Sequence, residues 1–107
     1  MPFDALTCAQ SLITLVNRPV QLIARSDGDL ARQIRRAASS VALNLAEGRM
    51  RGGRDRLHLF RVAHGSACEV GAALDVAAGW GYIGDAELAD ARVALDRLRA
   101  MLWRLTR

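Results

Sequence analysis

Four arginines surround a glycine pair in the middle of the chain, where residues 43–60 read LNLAEGRMRGGRDRLHLF. The charged side chains around Gly52 and Gly53 are Arg49, Arg51, Arg54, Asp55 and Arg56. Guanidinium groups bind phosphate oxygens in bidentate fashion, and flexible glycines would let them adapt to a phosphate backbone. A helix beginning after the glycines would add partial positive charge at its N-terminus. The segment is therefore a candidate phosphate-binding site. The alternative is a solvated turn in which Arg49 and Arg51 stabilise the negative end of the preceding helix.

No aromatic side chain lies within residues 49–56 to stack a base, so the segment does not predict sequence-specific reading of a single strand. Metal ligands and nucleophiles are also few. His58 and His64 are six residues apart, about 120° on a helix, and His64 shares a face only with Cys68. The chain has no lysine, so it has no phosphate loop of the Gly-x-x-x-x-Gly-Lys type. We predict no catalytic residue, no metal and no cofactor, and a protein that is not an enzyme.

Length and composition indicate one small helical domain over residues 1–107. Apolar residues make up 51% of the chain but aromatic residues only 5%, and much of the apolar share is alanine. No apolar segment reaches the roughly 18 residues that a membrane span needs. Asp4 stands where a signal peptide would carry positive charge, and two cysteines, Cys8 and Cys68, make no disulfide framework. These features predict a cytoplasmic protein with no membrane association.

Charge is segregated along the chain. The formal net charge is +4, and all 15 basic residues are arginine. Residues 18–61 carry ten arginines and four acids, residues 62–91 carry five acids and no base, and residues 92–107 carry five arginines and one acid. Such a chain can steer anions to its positive regions or pair with its own copies. The arginine count alone says less, because a preference for GC-rich codons also replaces lysine with arginine.

Four segments carry apolar residues at alternating steps of three and four, the spacing of a bundle helix. The predicted core positions of the first two helices are Leu6, Ala9, Ile13, Val16, Val20 and Ile23, then Leu30, Ile34, Ala37, Ala38, Val41 and Leu45. Those of the last two are Phe60, Ala63, Ala67, Val70, Leu74 and Ala77, then Leu88, Ala91, Leu95, Leu98, Leu102 and Leu105. With short connections, this pattern predicts an all-α fold, an antiparallel up-and-down four-helix bundle.

Turn-forming residues set the expected helix ends. Pro19 lacks a backbone N–H and should bend the first helix. The second helix is expected over residues 30–48, with Asp29 as its N-cap and Gly48 turning left-handed at its end. The third is expected from about residue 54, and Asp85 is expected to cap the fourth after the break GWGYIG at residues 79–84.

A polar stripe borders the apolar one on the middle two helices. Four side chains of the second helix lie within about 80° of one another: Arg36, Ser40, Asn44 and Glu47. On the third helix Ser66 and Glu69 lie close together, flanked by small residues. These groups either face water or hydrogen-bond across a helix contact, and the periodicity leaves both possibilities open.

Two longer motifs resemble a known family. Residues 33–48 read QIRRAASSVALNLAEG, residues 60–69 read FRVAHGSACE, and residues 81–83 read GYI. They resemble the QLRRAxxSIxxNIAEG signature, the FLxIAxGSxxE pattern and the helix break of the bacterial four-helix-bundle proteins encoded in ribosomal RNA intervening sequences. His64 and Leu57 depart from the pattern, since a basic and an aromatic residue are usual there.

The resemblance implies a cytosolic bundle that assembles as a ring-like homopentamer. A distantly similar protein, the accessory variability protein of diversity-generating retroelements, partners a reverse transcriptase and binds nucleic acid. The polar stripe occupies motif positions, which implies burial or an interface. Arg36 is then expected to pair with Glu69 or Glu47, within a subunit or between subunits. Five copies at +4 would give about +20 in total, so the arginine segments would form a ring of positive charge.

These observations together predict a non-enzymatic homo-oligomer that associates electrostatically with the RNA or DNA backbone, with a partner protein as a further possibility. The expected phosphate contacts are Arg49, Arg51, Arg54 and Arg56, then Arg32 and Arg35. The alternative is a protein–protein adaptor or scaffold whose basic regions pair with residues 62–91 or with a partner. An enzyme with a site between subunits ranks third, since the sequence supplies no catalytic constellation for it.

Overall fold

Four helices make up the regular structure of residues 3–107. A computed structural model describes residues 3–107, and Met1 and Pro2 of the predicted domain lie outside the described residues. The helices are α1 (Asp4–Ala24), α2 (Gly28–Gly48), α3 (Gly53–Gly79) and α4 (Asp85–Leu105). No strand occurs in residues 3–107, and the predicted all-α fold is confirmed.

The helices pack in a closed square, in which α1 contacts α2, α2 contacts α3, α3 contacts α4, and α4 returns to α1. Residues 25–27, 49–52 and 80–84 connect them. Such short connections reverse the chain at each step, so the antiparallel up-and-down bundle is confirmed. The molecule measures 43 × 22 × 20 Å. The start of α1, the end of α2, the start of α3 and the end of α4 therefore lie together at one end.

Short side chains fill much of the core. Ten of the 26 buried apolar residues in positions 3–107 are alanine, and alanine allows helix axes to approach closely while keeping the highest helix propensity. Larger side chains such as Leu12, Ile34, Leu74 and Leu98 fill the spaces between them and are fully buried. No polar or charged residue is buried within residues 3–107. Every polar group that matters for function therefore lies at the surface or at a partly covered edge.

The predicted core positions are correct in the middle two helices but out of phase by one residue in parts of α1. Leu12 is fully buried, whereas the predicted Ile13 is 37% exposed; Ala5 is buried and Leu6 only half-buried. Apolar residues are adjacent at both places, so either choice satisfies the three-four spacing. Packing against α2 and α4 decides between them. The predicted Leu105 is also 37% exposed, because α4 ends there.

Two predicted caps are wrong by one or two residues. Asp27, not Asp29, is the N-cap of α2, and its carboxylate accepts a hydrogen bond of 3.0 Å from the Leu30 amide. Gly84, not Asp85, precedes α4, and the Glu87 side chain reaches back to accept from its amide at 3.2 Å. Pro19 lies buried within α1, and the helix continues through it to Ala24.

Gly48 ends α2 for a different reason from the one predicted. Its backbone is not left-handed: the positive-φ glycines of the described chain are Gly53 and Gly81, at 56° and 78°. A Cβ added at Gly48 would instead lie 2.8 Å from the Phe60 ring and 3.2 Å from Leu59 Cβ. Glycine is therefore required because the end of α2 presses directly onto α3.

The Gly48→Ala substitution is expected to destabilise the protein by about 1–3 kcal/mol, because the added methyl group overpacks a buried contact with an aromatic ring. Urea unfolding followed by circular dichroism measures the change.

Gly65→Ala is the matched control, since no described atom outside the helix lies within 4 Å of its added Cβ. Replacing a helical glycine by alanine there should raise stability by up to about 1 kcal/mol. Equal effects of the two substitutions would show that the Gly48 contact is not tight.

Candidate nucleic-acid interface

Aromatic and arginine side chains close the end of the bundle where the α2–α3 connection lies. The Phe3 and Phe60 rings stack with centroids 5.7 Å apart, and the Arg49 guanidinium lies 5.7 Å from the Phe3 ring centre. Beside them is a groove of about 480 Å³ lined by Phe3, Arg49, Gly53, Arg56, Leu57, Phe60 and Leu105. Its lining comes from all four helix ends, so the groove exists only because the up-and-down topology brings those ends together.

The charges are unevenly divided along the long axis. The half of the bundle with this groove comprises residues 3–14, 39–66 and 96–107, and we call it the basic half. It carries nine arginines and four acidic residues, whereas residues 15–38 and 67–95 carry six arginines and seven acidic residues. The net charges are therefore +5 and −1. A polyanion approaching the molecule is attracted to the basic half.

Two of the four predicted phosphate-binding arginines have local partners. Arg56 donates to the terminal carbonyls of α2, to Gly48 O at 3.4 Å and to Arg49 O at 3.2 Å. Arg51 pairs with Glu47 at 2.9 Å and lies 3.9 Å from Asp55. Arg56 therefore contributes charged donors to the end of α2, where Gly48 O also accepts from the Arg51 amide at 3.0 Å.

Arg49 and Arg54 have no acidic partner in residues 3–107, so their guanidinium groups are more available to a phosphate than those of Arg51 and Arg56. Arg54 is exposed and makes no ion pair with any residue in 3–107, and Arg49 lies over the Phe3 ring without an acidic partner in that range. Between them, Gly52 precedes α3 and supplies no side chain to cap it. The first amides of α3 therefore have no side-chain cap, and Gly53 at the start of α3 lines the same groove as Arg49, an arrangement suited to phosphate.

The second pair of predicted phosphate contacts lies elsewhere. Arg32 forms an ion pair with Asp29 in the first turn of α2. Arg35 is exposed on the same helix, 14 residues before Arg49, a separation of about 21 Å along a helix. The structure therefore does not bring Arg32 and Arg35 together with the arginines of the α2–α3 connection.

A small hydrogen-bonded network lies on the outer edge of the α2–α3 contact. The hydroxyl oxygens of Ser40 and Ser66 are 2.8 Å apart across the two helices. Asn44 donates from Nδ2 to the carbonyl and the hydroxyl oxygen of Ser40, at 2.8 and 3.0 Å. All three side chains are half-buried. These three side chains of the predicted polar stripe therefore hydrogen-bond to one another or to the backbone at the α2–α3 contact.

The charged members of the stripe behave differently. Arg36, Glu47 and Glu69 are all exposed. The expected pairing of Arg36 with Glu47 inside one chain is wrong, because Glu47 pairs with Arg51 one turn later on α2. Arg36 and Glu69 each lie one turn from the Ser40–Ser66 pair, yet they form no ion pair within the described chain. Pairing between subunits stays a prediction.

Arg92 joins α3 to α4 in the other half. Its guanidinium lies 2.9 Å from Asp85 and 3.2 Å from Asp75. The hydrogen bond with Asp85 is the main reason that the pKa of Arg92 lies above its ordinary value; desolvation opposes this shift and Asp75 adds to it. Arg92 therefore stays charged and neutralises acidic groups at the end opposite the groove.

Other chemistry has little support in residues 3–107. They contain no cluster of three or more histidine, cysteine or acidic side chains that could hold a metal ion. His64 packs edge-on against Trp103 at 6.4 Å, and Cys68 is an exposed free thiol. None of the described helices is both long and apolar enough to cross a membrane.

The sequence model of the 23S rRNA-intervening sequence protein family matches residues 4–104. The chain belongs to this family. Among solved structures, a protein of unknown function from the S23 ribosomal protein family of Bacteroides thetaiotaomicron is similar in fold. Its TM-score is 0.86 at 14% identity, over 96% of this chain and 98% of that one. No curated protein matches the sequence. The family match and the similar structure support a small helical protein and leave its activity open.

Sequence reasoning on this intervening sequence protein missed part of the basic half. Arg61, Arg104 and Arg107 are exposed there, together with Trp103 on the last turns of α4. The signal was available, since a predicted up-and-down bundle must place the end of its fourth helix beside the connection between its second and third helices.

Arg56→Ala should lower the free energy of unfolding by about 1 kcal/mol, because two carbonyls at the end of α2 are left without a charged donor. Arg54→Ala, two residues away, should change it by less than about 0.5 kcal/mol. Chemical unfolding of both variants provides the comparison. A larger effect for Arg54 than for Arg56 would contradict the division between structural and available arginines.

Proposed function

We propose that this intervening sequence protein is a non-enzymatic, homo-oligomeric bundle, pentameric as its family resemblance implies, that binds the phosphate backbone of RNA or DNA through its basic half. The observation that supports the proposal most is the uneven division of charge, nine arginines against four acids in the half that holds the groove. Arg49 and Arg54 are the leading phosphate contacts, since neither is paired with an acid within residues 3–107.

Binding to the phosphate backbone does not require contacts with the edges of the bases. Arginine offers two parallel donors to a phosphate, and each neutralised phosphate releases condensed counterions. The uncapped start of α3 adds backbone donors beside Arg54. Arg51 can join them by exchanging its exposed contacts with Glu47 and Asp55, because exposed ion pairs contribute little. Arg56 is better regarded as a structural residue that fixes the connection.

Assembly would multiply the effect. The outer edge of the α2–α3 contact carries the half-buried Ser40, Asn44 and Ser66 and the apolar Leu43, whose side chain is 68% exposed. Covering this edge with a second copy would bury Leu43 and give Arg36 and Glu69 partners in the neighbouring subunit. Five copies of a chain at +4 would then hold five arginine segments in one assembly of about +20.

A second candidate function follows from the same uneven charge. The other half has a net charge of −1, and its Asp85, Glu87 and Asp90 at the start of α4 are complementary in charge to the basic half of another molecule. The protein would then act as an adaptor or scaffold, and its arginines would serve assembly. A partner enzyme recruited by the bundle is compatible with either function.

The R49Q/R54Q double variant should weaken binding to a labelled RNA or DNA oligonucleotide. The slope of log affinity against log salt should fall by about 0.7 to 0.9 for each phosphate that the variant no longer neutralises. Fluorescence anisotropy at several salt concentrations measures the slope, and sedimentation velocity measures the oligomer.

The matched control is R18Q/R25Q, which removes the same charge from exposed positions in the other half. It should leave the slope close to that of the unaltered protein. Equal weakening in both variants would indicate nonspecific attraction by net charge. Dissociation of the R49Q/R54Q oligomer, with no nucleic acid bound by the unaltered protein, would favour the adaptor.

A further inference from the structure

An exposed tryptophan stands among arginines on the side of the basic half where α3 meets α4. Trp103 is 53% exposed, and its ring packs edge-on against His64 with centroids 6.4 Å apart. The Arg107 guanidinium lies 4.8 Å from the Trp103 ring centre. The indole is thus held by an aromatic edge and a cation while about half of its surface stays open.

No acidic side chain lies within about one turn of Trp103 on α4 or of His64 on α3. Residues 99–107, at and after the end of α4, and residues 60–68 of α3 contain no acidic residue, whereas they contain Arg61, Arg99, Arg104 and Arg107. Arg99 pairs with Asp96 at 2.8 Å. The other three are exposed or at the chain end and have no acidic partner in residues 3–107. A flat ring within a positive field suits a planar ligand that carries phosphate.

The groove described above lies at the same end of the bundle as Trp103. Leu105 lines the groove together with Arg49 and Arg56, and it lies two residues after Trp103, about 200° around α4 from it. On α3, Arg61 lies one turn from His64 in the direction of Arg54. Arg54 and Arg61 are seven residues apart and share a face of α3, so the phosphates that follow a base at Trp103 can meet Arg61 and then Arg54, with Asp55 as the acidic side chain beside them.

We infer that Trp103, held by His64 and Arg107, is a stacking platform for an unpaired base, and that the protein prefers single-stranded nucleic acid to duplex. The inference rests on the proposed function and specifies its ligand. A base in a duplex is already stacked on its neighbours, so only an unpaired base has a free face for the indole. Arg107 over the ring adds a cation that attracts both the indole and an incoming phosphate.

The chain supplies its own control, because it has one other tryptophan. Trp80 is 71% exposed at the opposite end, in the α3–α4 connection. Asp75 and Asp85 lie within five residues of it along the chain. Substitution of Trp80 therefore tests for a general effect of removing an exposed indole. The W80F protein also leaves Trp103 as the single tryptophan reporter.

The experiment titrates the full chain with a 12-nucleotide oligo(U) and with a 12-base-pair duplex, under the same salt conditions. In W80F, the single strand should quench Trp103 fluorescence. W103A should bind oligo(U) about 5- to 150-fold more weakly, the reduction expected for one stacked base. W103A should bind the duplex with an affinity within about twofold of that of the unaltered protein. W80A should do the same for both ligands.

W103F is the control for a folding defect in W103A. It keeps an aromatic face and should therefore recover most of the affinity for oligo(U). Unchanged binding of oligo(U) by W103A, with both ligands still bound, would overturn the inference and leave the proposed function standing. Dissociation of the W103A oligomer with equal weakening for both ligands would overturn it in favour of a contact between copies. Failure of the unaltered protein to bind either ligand would overturn the proposed function itself.

Discussion

The contact between Gly48 and the Phe60 ring determines how the arginine-rich end of the bundle is built. Because α2 ends directly against α3, the connection between them is held close to the bundle, and Arg56 can reach back to the carbonyls of Gly48 and Arg49. The same ring stacks on Phe3, which brings the start of α1 to the groove. Without this close approach, the arginines around the two glycines would occupy an open turn instead of a shaped surface.

The antiparallel topology turns the segregation of charge along the sequence into a difference in charge between the two ends of the bundle. The arginines of the α2–α3 connection and those at the end of α4 are about 50 residues apart in the sequence, yet the antiparallel bundle places them at one end. The acidic start of α4 goes to the other end, where Arg92 neutralises part of it. The basic half is therefore a product of chain reversal, and a single helix with the same composition would lack it.

The number of helices, their order and most of the core could be predicted from apolar spacing and glycine-rich breaks. The phase of α1 could not, because Leu12 and Ile13 are adjacent and only packing chooses between them. The reason why residue 48 is glycine could not be predicted either, since a close approach between helices and a left-handed turn both require glycine. Among the site residues, the sequence located the arginines but not their partners. Whether Arg56 binds a carbonyl or a phosphate depends on where α2 stops relative to α3.

Hydrogen–deuterium exchange with and without a bound oligonucleotide tests the central claim most directly, because it maps the contact on the unaltered chain. The basic half should account for the protection: exchange should slow in peptides covering residues 49–61 and 99–107 and stay unchanged in those covering residues 75–92. Protection confined to residues 75–92, or to α2 before Gly48, would contradict the account.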